Sequence, residues 1–170
     1  EPVVMRMFEL KRKVGNEAHF HVEFIRFANM PGDVLVSHIE PKSNVLTLVA
    51  PHFSDRLPSE NWMIIDDKRF IAVVHPADQD YYLTILSKEE MDRLSIQTDD
   101  PFIDLWKDFF NTIGIKEREN HQCQRNLMPL WYRKHMTEFQ RKLLEVYNDA
   151  CKPLCKKLKL PQTAFDILMF

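Results

Sequence analysis

Glycine is scarce in this chain. There are three in 170 residues, Gly15, Gly32 and Gly114, where average usage of about 7% would give roughly twelve. A Walker-type phosphate loop, a dinucleotide fingerprint and a nucleophile elbow each need two or three glycines close together. No two glycines here are neighbours on that scale, so those loops are excluded. Any nucleic-acid contact must come from side chains on rigid elements. Cysteine is equally sparse. Cys123, Cys151 and Cys155 are an odd number in a chain long enough to bury a core without staples, which points to a reducing compartment. Long apolar runs are missing too, the longest ending at Pro51 after Val45 to Ala50, far short of the roughly 18 residues of a membrane span. Nor is there a basic-then-apolar leader. The expectation is a cytoplasmic protein with no membrane association.

What the chain does have is core material: 45% hydrophobic residues, with 12 Phe, 3 Trp and 4 Tyr. The length suits one compact domain. A formal charge of −2 hides an uneven distribution. Bases dominate from Arg6 to Lys13, from Lys116 to Lys134 and from Lys152 to Lys159, while acids dominate from Asp78 to Asp104. A near-neutral sum is therefore compatible with a basic face.

Residues 4–17 read as a helix. Phe20, Val22 and Phe24 then alternate with polar residues, which predicts a half-buried strand over 20–27. Asn29 to Asp33 is turn chemistry and Val34 to Ile39 a second strand, completing a hairpin. Ser43 or Asn44 offers a cap for a helix over 45–57, which Pro51 should shorten or kink. Trp62 to Ile65 and Phe70 to Val74 flank the charged turn Asp66-Asp67-Lys68-Arg69, a second hairpin, and Tyr81 to Leu86 supplies a possible fifth strand. From Ser87 the period becomes helical. Ser87 and Glu90 have capping-box spacing. Asp100 and Pro101 start a helix that Gly114 should stop in a left-handed conformation, and its Phe102, Leu105, Trp106, Phe109, Phe110 and Ile113 form one wide apolar face expected to be core. A last helix is expected over 137–150. The predicted fold is α+β: an antiparallel sheet of two hairpins plus that fifth strand, helices on one side, and a helical C-terminal third. Residues 1–96 form the sheet region and 97–170 the helical region packed on it.

No catalytic set stands out. His121-x-Cys123 with Cys151-x3-Cys155 has nitrogen and sulfur donors for zinc, but neither pair has the usual C-x2-C spacing, so no metal is expected. The Cys-x3-Cys pair lacks the third thiolate an iron–sulfur cluster needs. No cofactor is expected. His75 at a strand end is a candidate exposed base. The paired carboxylates Asp66-Asp67 and Asp99-Asp100 sit where a turn and a helix start want acids anyway. The polar segment 115–135 mixes five bases with amides, histidines and Trp131-Tyr132. Such groups read phosphates and bases, and they also describe a polar helix connection.

Five motifs narrow the choice: Ile39-Glu40-Pro41, His52-Phe53-x-Asp55-Arg56, Asp66-x-Lys68-Arg69, Ile115-x-Glu117-Arg118-x-Asn120 and Arg125-x-x-Met128-Pro129. Together, over about Val14 to Phe139, they resemble the bacterial domain-of-unknown-function family 4130, whose members carry a DNA-metabolism label. The resemblance implies an accessory role in DNA repair or modification, beside a radical-SAM protein or a uracil-DNA-glycosylase-like domain.

Three readings are compatible with these residues. The first is a module that binds DNA or a repair enzyme through one basic polar surface built from Arg56, Lys68, Arg69, Arg118, Asn120 and Arg125. The second is an enzyme acting on a nucleobase or nucleotide, with His52, Asp55, His75 and Glu117 as acid–base candidates. The third is a structural partner domain of the radical-SAM protein, marked by an exposed apolar patch. Against the first stands an internal carboxylate–arginine network tying the sheet to the helices.

Overall fold

The computed structural model describes residues 2–94 and 101–139, which lie within one compact unit, Glu1–Phe139. The chain opens with a long helix, α1 (Pro2–Phe24), followed by β1 (Ala28–Met30) and β2 (Val34–Ile39). Next come α2 (Leu46–Arg56), β3 (Asn61–Asp66), β4 (Ile71–His75), β5 (Tyr82–Ile85) and α3 (Lys88–Leu94). After the undescribed stretch, α4 (Pro101–Ile113) and α5 (His121–Leu127) alternate with 3-10 turns at Lys116–Arg118, Leu130–His135 and Thr137–Phe139.

The class is α+β, as the sequence indicates, but the sheet is mixed. Its order is β1-β2-β3-β4-β5, and β2 runs parallel to β3 while the other neighbours are antiparallel. The reason is α2. A helix between β2 and β3 carries the chain back to its starting edge, so β3 leaves in the direction β2 did. The expected hairpin at Asp66–Arg69 forms, and so does the fifth strand, while the first hairpin turns at Pro31-Gly32-Asp33 with Ala28–Met30, not 20–27, as its first strand. Gly32 adopts φ +95°, the conformation its turn requires.

Helices are not confined to one side. Alternate residues of the central strands are apolar on both faces. Ile39, Trp62, Ile64 and Val73 pack under α1 and α2 with Ala18, Leu46, Val49 and Phe53. Val36, Ile65 and Ala72 face the other way, toward Met91 and Leu94 of α3.

Five further expectations change. Residues 20–24 are the last turn of α1, not a strand: Phe20 and Phe24 stack at 5.9 Å, the i, i+4 contact of a helix that mimics alternation in sequence. Ser43 and Asn44 do not cap α2; its N-cap is Val45, with no side-chain cap bond, and Ser43 N–H goes instead to the Glu17 carboxylate. Pro51 is accommodated within α2, which continues to Arg56. Gly114 is not left-handed, since Gly32 alone among the glycines has positive φ. The capping box at α3 forms as expected: Ser87 Oγ donates to the Glu90 carboxylate at 2.8 Å and accepts from Glu90 N–H. The apolar stripe of α4 is exposed rather than core at Phe102, Leu105, Phe109 and Ile113. Its described contacts run through Phe110 against Phe139 and Trp106 to Glu138. Asp100, Cys151, Cys155 and the helix expected beyond Phe139 lie outside the described residues.

Candidate functional site

Parallel pairing brings two strand ends together. Ile39 stands opposite Asp66 in register, so the next residues, Glu40 and Asp67, emerge side by side. Asp67 N–H donates to the Ile39 carbonyl at 3.0 Å. This is the carboxyl end of the parallel pair. His38, on the α3 face of β2, lies with Nδ1 2.7 Å from Asp67 Oδ1 and Nε2 3.4 Å from the Leu94 carbonyl.

Two other elements close over these ends. The last turns of α1 present Phe20, His21 and Phe24, and Tyr132 of the 3-10 turn packs its ring among all three, at 5.6, 4.9 and 5.4 Å. That docking carries His135 down to Glu40, with Nε2 3.9 Å from Oε1. Between the walls is a small cavity of about 20 Å³ lined by His21, His38, Glu40, Tyr132 and His135 among others. It has room for a water or an ion and not for a nucleobase.

Burial sets the proton states. His21 is pushed down to about 4, chiefly by burial, with His135 adding to the effect and Glu17 and Asp66 opposing it. Burial also lowers His135, against the pull of Asp67 and Glu40. Burial acts in the same sense on His38, yet there the Asp67 hydrogen bond and charge prevail and raise it. Tyr132 is pushed up to about 12, by burial and then by Glu17. At neutral pH the cavity is therefore lined by uncharged His21, His135 and Tyr132. His21 Nε2, His135 Nε2 and the Tyr132 hydroxyl are buried without a hydrogen-bond partner.

Beside the cavity runs a clamp on the loop between β2 and α2. Glu17, itself buried, accepts the N–H groups of Lys42 and Ser43. Arg69 donates to the carbonyls of Pro41 and Lys42 and, at 2.7 Å, to Asp66, whose side chain has no exposed surface. Asp66 also accepts the N–H groups of Lys68 and Arg69.

This clamp corrects part of the sequence reading. Arg69 belongs to an internal carboxylate–arginine network, its guanidinium engaged by Asp66 and two loop carbonyls. Lys68 is exposed. His52, Asp55 and Arg56 do share one exposed helix end, at the close of α2. His75 is no exposed base: it is buried, stacked on Trp62 at 4.9 Å and 4°, with Nδ1 3.0 Å from the Glu60 carbonyl. Asn120 caps α5, accepting from Cys123 N–H at 2.9 Å. Glu117, Arg118 and Arg125 are exposed, and Arg125 Nε donates to the His121 carbonyl. Among the described residues no hydrogen bond or ion pair joins the α2 end, the Asp66 turn and the 117–125 segment. The acid–base candidates His52, Asp55, His75 and Glu117 do not assemble into a site.

The residues that do assemble, His21, His38, Glu40, Asp67, Tyr132 and His135, carry no signal that sequence reasoning picks out. Glu40 and Asp67 fall inside motifs with no role attached. A strand–helix–strand spacing across residues 34–66 is the signal that could have found them, because parallel pairing makes both strand-end acids neighbours.

No curated protein and no solved structure is similar enough to be matched. The family model of the domain of unknown function DUF4130 matches residues 1–138, taking in both strand ends, the clamp and the turn that carries His135. The chain belongs to the DUF4130 family.

Proposed function

We propose that this chain is a nucleic-acid-engaging module of DNA metabolism, working beside a repair or modifying enzyme. Its contact surface is the basic segment from Lys116 to Arg125, with Trp131 beside it. The observation that carries this reading is that Lys116 and Arg118 are exposed and make no side-chain hydrogen bond or ion pair among the described residues. Arg125 uses only its Nε internally. Trp131 is exposed and already accepts a cation, with Lys42 Nζ 3.6 Å from its ring centre. A surface of this kind holds phosphates by charge and unpaired bases by stacking.

The test is binding of labelled single-stranded and duplex DNA across a salt series. Each phosphate contact releases counterions, so replacing Lys116, Arg118 and Arg125 together by Ala should flatten the salt slope by about 2 on single strands. Thermal stability should not change. Wild-type protein that binds no DNA at low salt, or a triple variant that binds as well as wild type, sinks the reading. A second reading, a partner domain for the radical-SAM protein, draws on the exposed apolar residues of α1 and α4. Its test is co-purification of the two chains.

A further inference from the structure

We propose that Glu40, Asp67 and His135 bind a divalent first-row transition ion, leaving an open coordination position toward the cavity that His21 and Tyr132 line. One donor atom from each of the three residues lies within 4.8 Å of the others. A tetrahedral ion with bonds of about 2.0–2.2 Å holds its ligands roughly 3.3 to 3.6 Å apart, so the exposed Glu40 carboxylate must turn inward by about an ångström to complete the set. Two backbones fix the other positions. Asp67 is anchored by its place at the end of β3, and His135 by the docking of Tyr132 on α1.

A second observation is independent of the carboxylates. His21 is 6% exposed and Tyr132 is 7% exposed, and both line the same cavity with a buried polar atom that has no partner. The cavity has room for one water, which needs two or more polar partners to be held. A water on the ion's open position would find them in His21 Nε2 and the Tyr132 hydroxyl.

The donor chemistry selects the ion. Two carboxylates and an imidazole, with no thiolate, suit Mn²⁺ through Zn²⁺ over Cu⁺, and the imidazole disfavours Mg²⁺ and Ca²⁺. Two negative charges balance the ion. In its place Lys134 Nζ pairs with the Glu40 carboxylate. That pair is largely exposed, and such pairs hold weakly, so a divalent ion displaces the ammonium. His38, hydrogen-bonded to Asp67, is the outer partner that orients a ligating carboxylate. None of the three ligands belongs to the basic segment, so this site holds or fails independently of nucleic-acid binding.

The experiment uses the full chain, stripped with a chelator and titrated with Co²⁺ and then Zn²⁺, with bound metal counted after dialysis. The expected result is one equivalent bound, with cobalt d–d bands and no thiolate-to-cobalt charge-transfer band. His38→Gln should lose about tenfold in affinity, and His135→Gln and Glu40→Gln each more than that. Lys134→Met removes the competing ammonium without touching a ligand, and should bind the ion more tightly. It keeps the test decisive where a ligand variant fails to fold. No uptake, uptake unchanged in folded His135→Gln, a dominant thiolate band, or Lys134→Met binding no more tightly than wild type overturns the assignment.

Discussion

Asp66 shows how one residue can look functional and be structural. Its carboxylate has no exposed surface and receives the Arg69 guanidinium together with two backbone N–H groups. Removing Arg69 leaves that charge buried and frees two loop carbonyls, a situation that costs on the order of 3 kcal/mol. Arg69→Ala should therefore lower unfolding stability by about that amount in urea titration. Lys68→Ala, one residue away and exposed, should stay within about 0.5 kcal/mol. His21 makes a separate prediction at the same scale. Its pKa near 4 in the folded chain lies below the ordinary 6.5, so unfolding takes up a proton between those values. The stability from a neutral His21 is present above about pH 6.5 and is lost as pH falls toward 4. The groups facing it are Glu17, Asp66, His135 and Tyr132. Glu17 and Asp66 partly offset burial, and replacing His21 isolates its own share. Urea titrations at about pH 7.5, 5.5 and 4.5 should show a shallower loss in His21→Gln than in wild type.

Elements differ in how openly they announce themselves. The capping box of α3, the proline at the start of α4 and the charged turn between β3 and β4 are local signals, and each forms where the sequence puts it. The end of helix α1 reads as a strand because Phe20, Val22 and Phe24 satisfy two periods at once. A five-residue window cannot separate alternation from an i, i+4 stack, and tertiary packing on Tyr132 decides. The parallel pairing of β2 with β3 is marked only by the strand–helix–strand order across residues 34–66, a signal no single element carries, and the site inherits that faintness. Glu40 and Asp67 become neighbours only through the register, and His135 arrives on a turn docked by an aromatic contact. Gly15 belongs to this scale as well. It lies inside α1 with nothing within 4 Å of the place a Cβ would occupy. No turn or close approach requires it there. Gly15→Ala should raise stability by about 1 kcal/mol, the helix-propensity difference, visible as a higher Tm with unchanged metal and DNA binding.

At the scale of the whole described unit, one buried carboxylate ties the sheet layer to helix α4. Glu138, with a side chain 3% exposed, accepts from Arg26 at 2.9 Å and from the Trp106 indole at 3.3 Å. Arg26 leads out of α1 into the sheet, whereas Trp106 belongs to α4, whose outer face is otherwise exposed. The Phe110–Phe139 ring pair and the Arg26 guanidinium over the Trp106 ring also hold α4. Breaking the Glu138 link leaves Arg26 with only its carbonyl partners and releases the indole together, at a cost of about 1–2 kcal/mol. The loss should fall unevenly, because the sheet keeps both of its cores while Trp106 loses its hydrogen-bond partner. In wild type, far-ultraviolet circular dichroism and tryptophan fluorescence should report one unfolding transition. In Glu138→Ala the Trp106 signal, isolated by replacing Trp62 and Trp131 with Phe, should shift to lower urea than the backbone signal. Coincident transitions in that variant would mean that α4 is held by contacts other than Glu138, and that the sheet and helical layers fold as one unit without it.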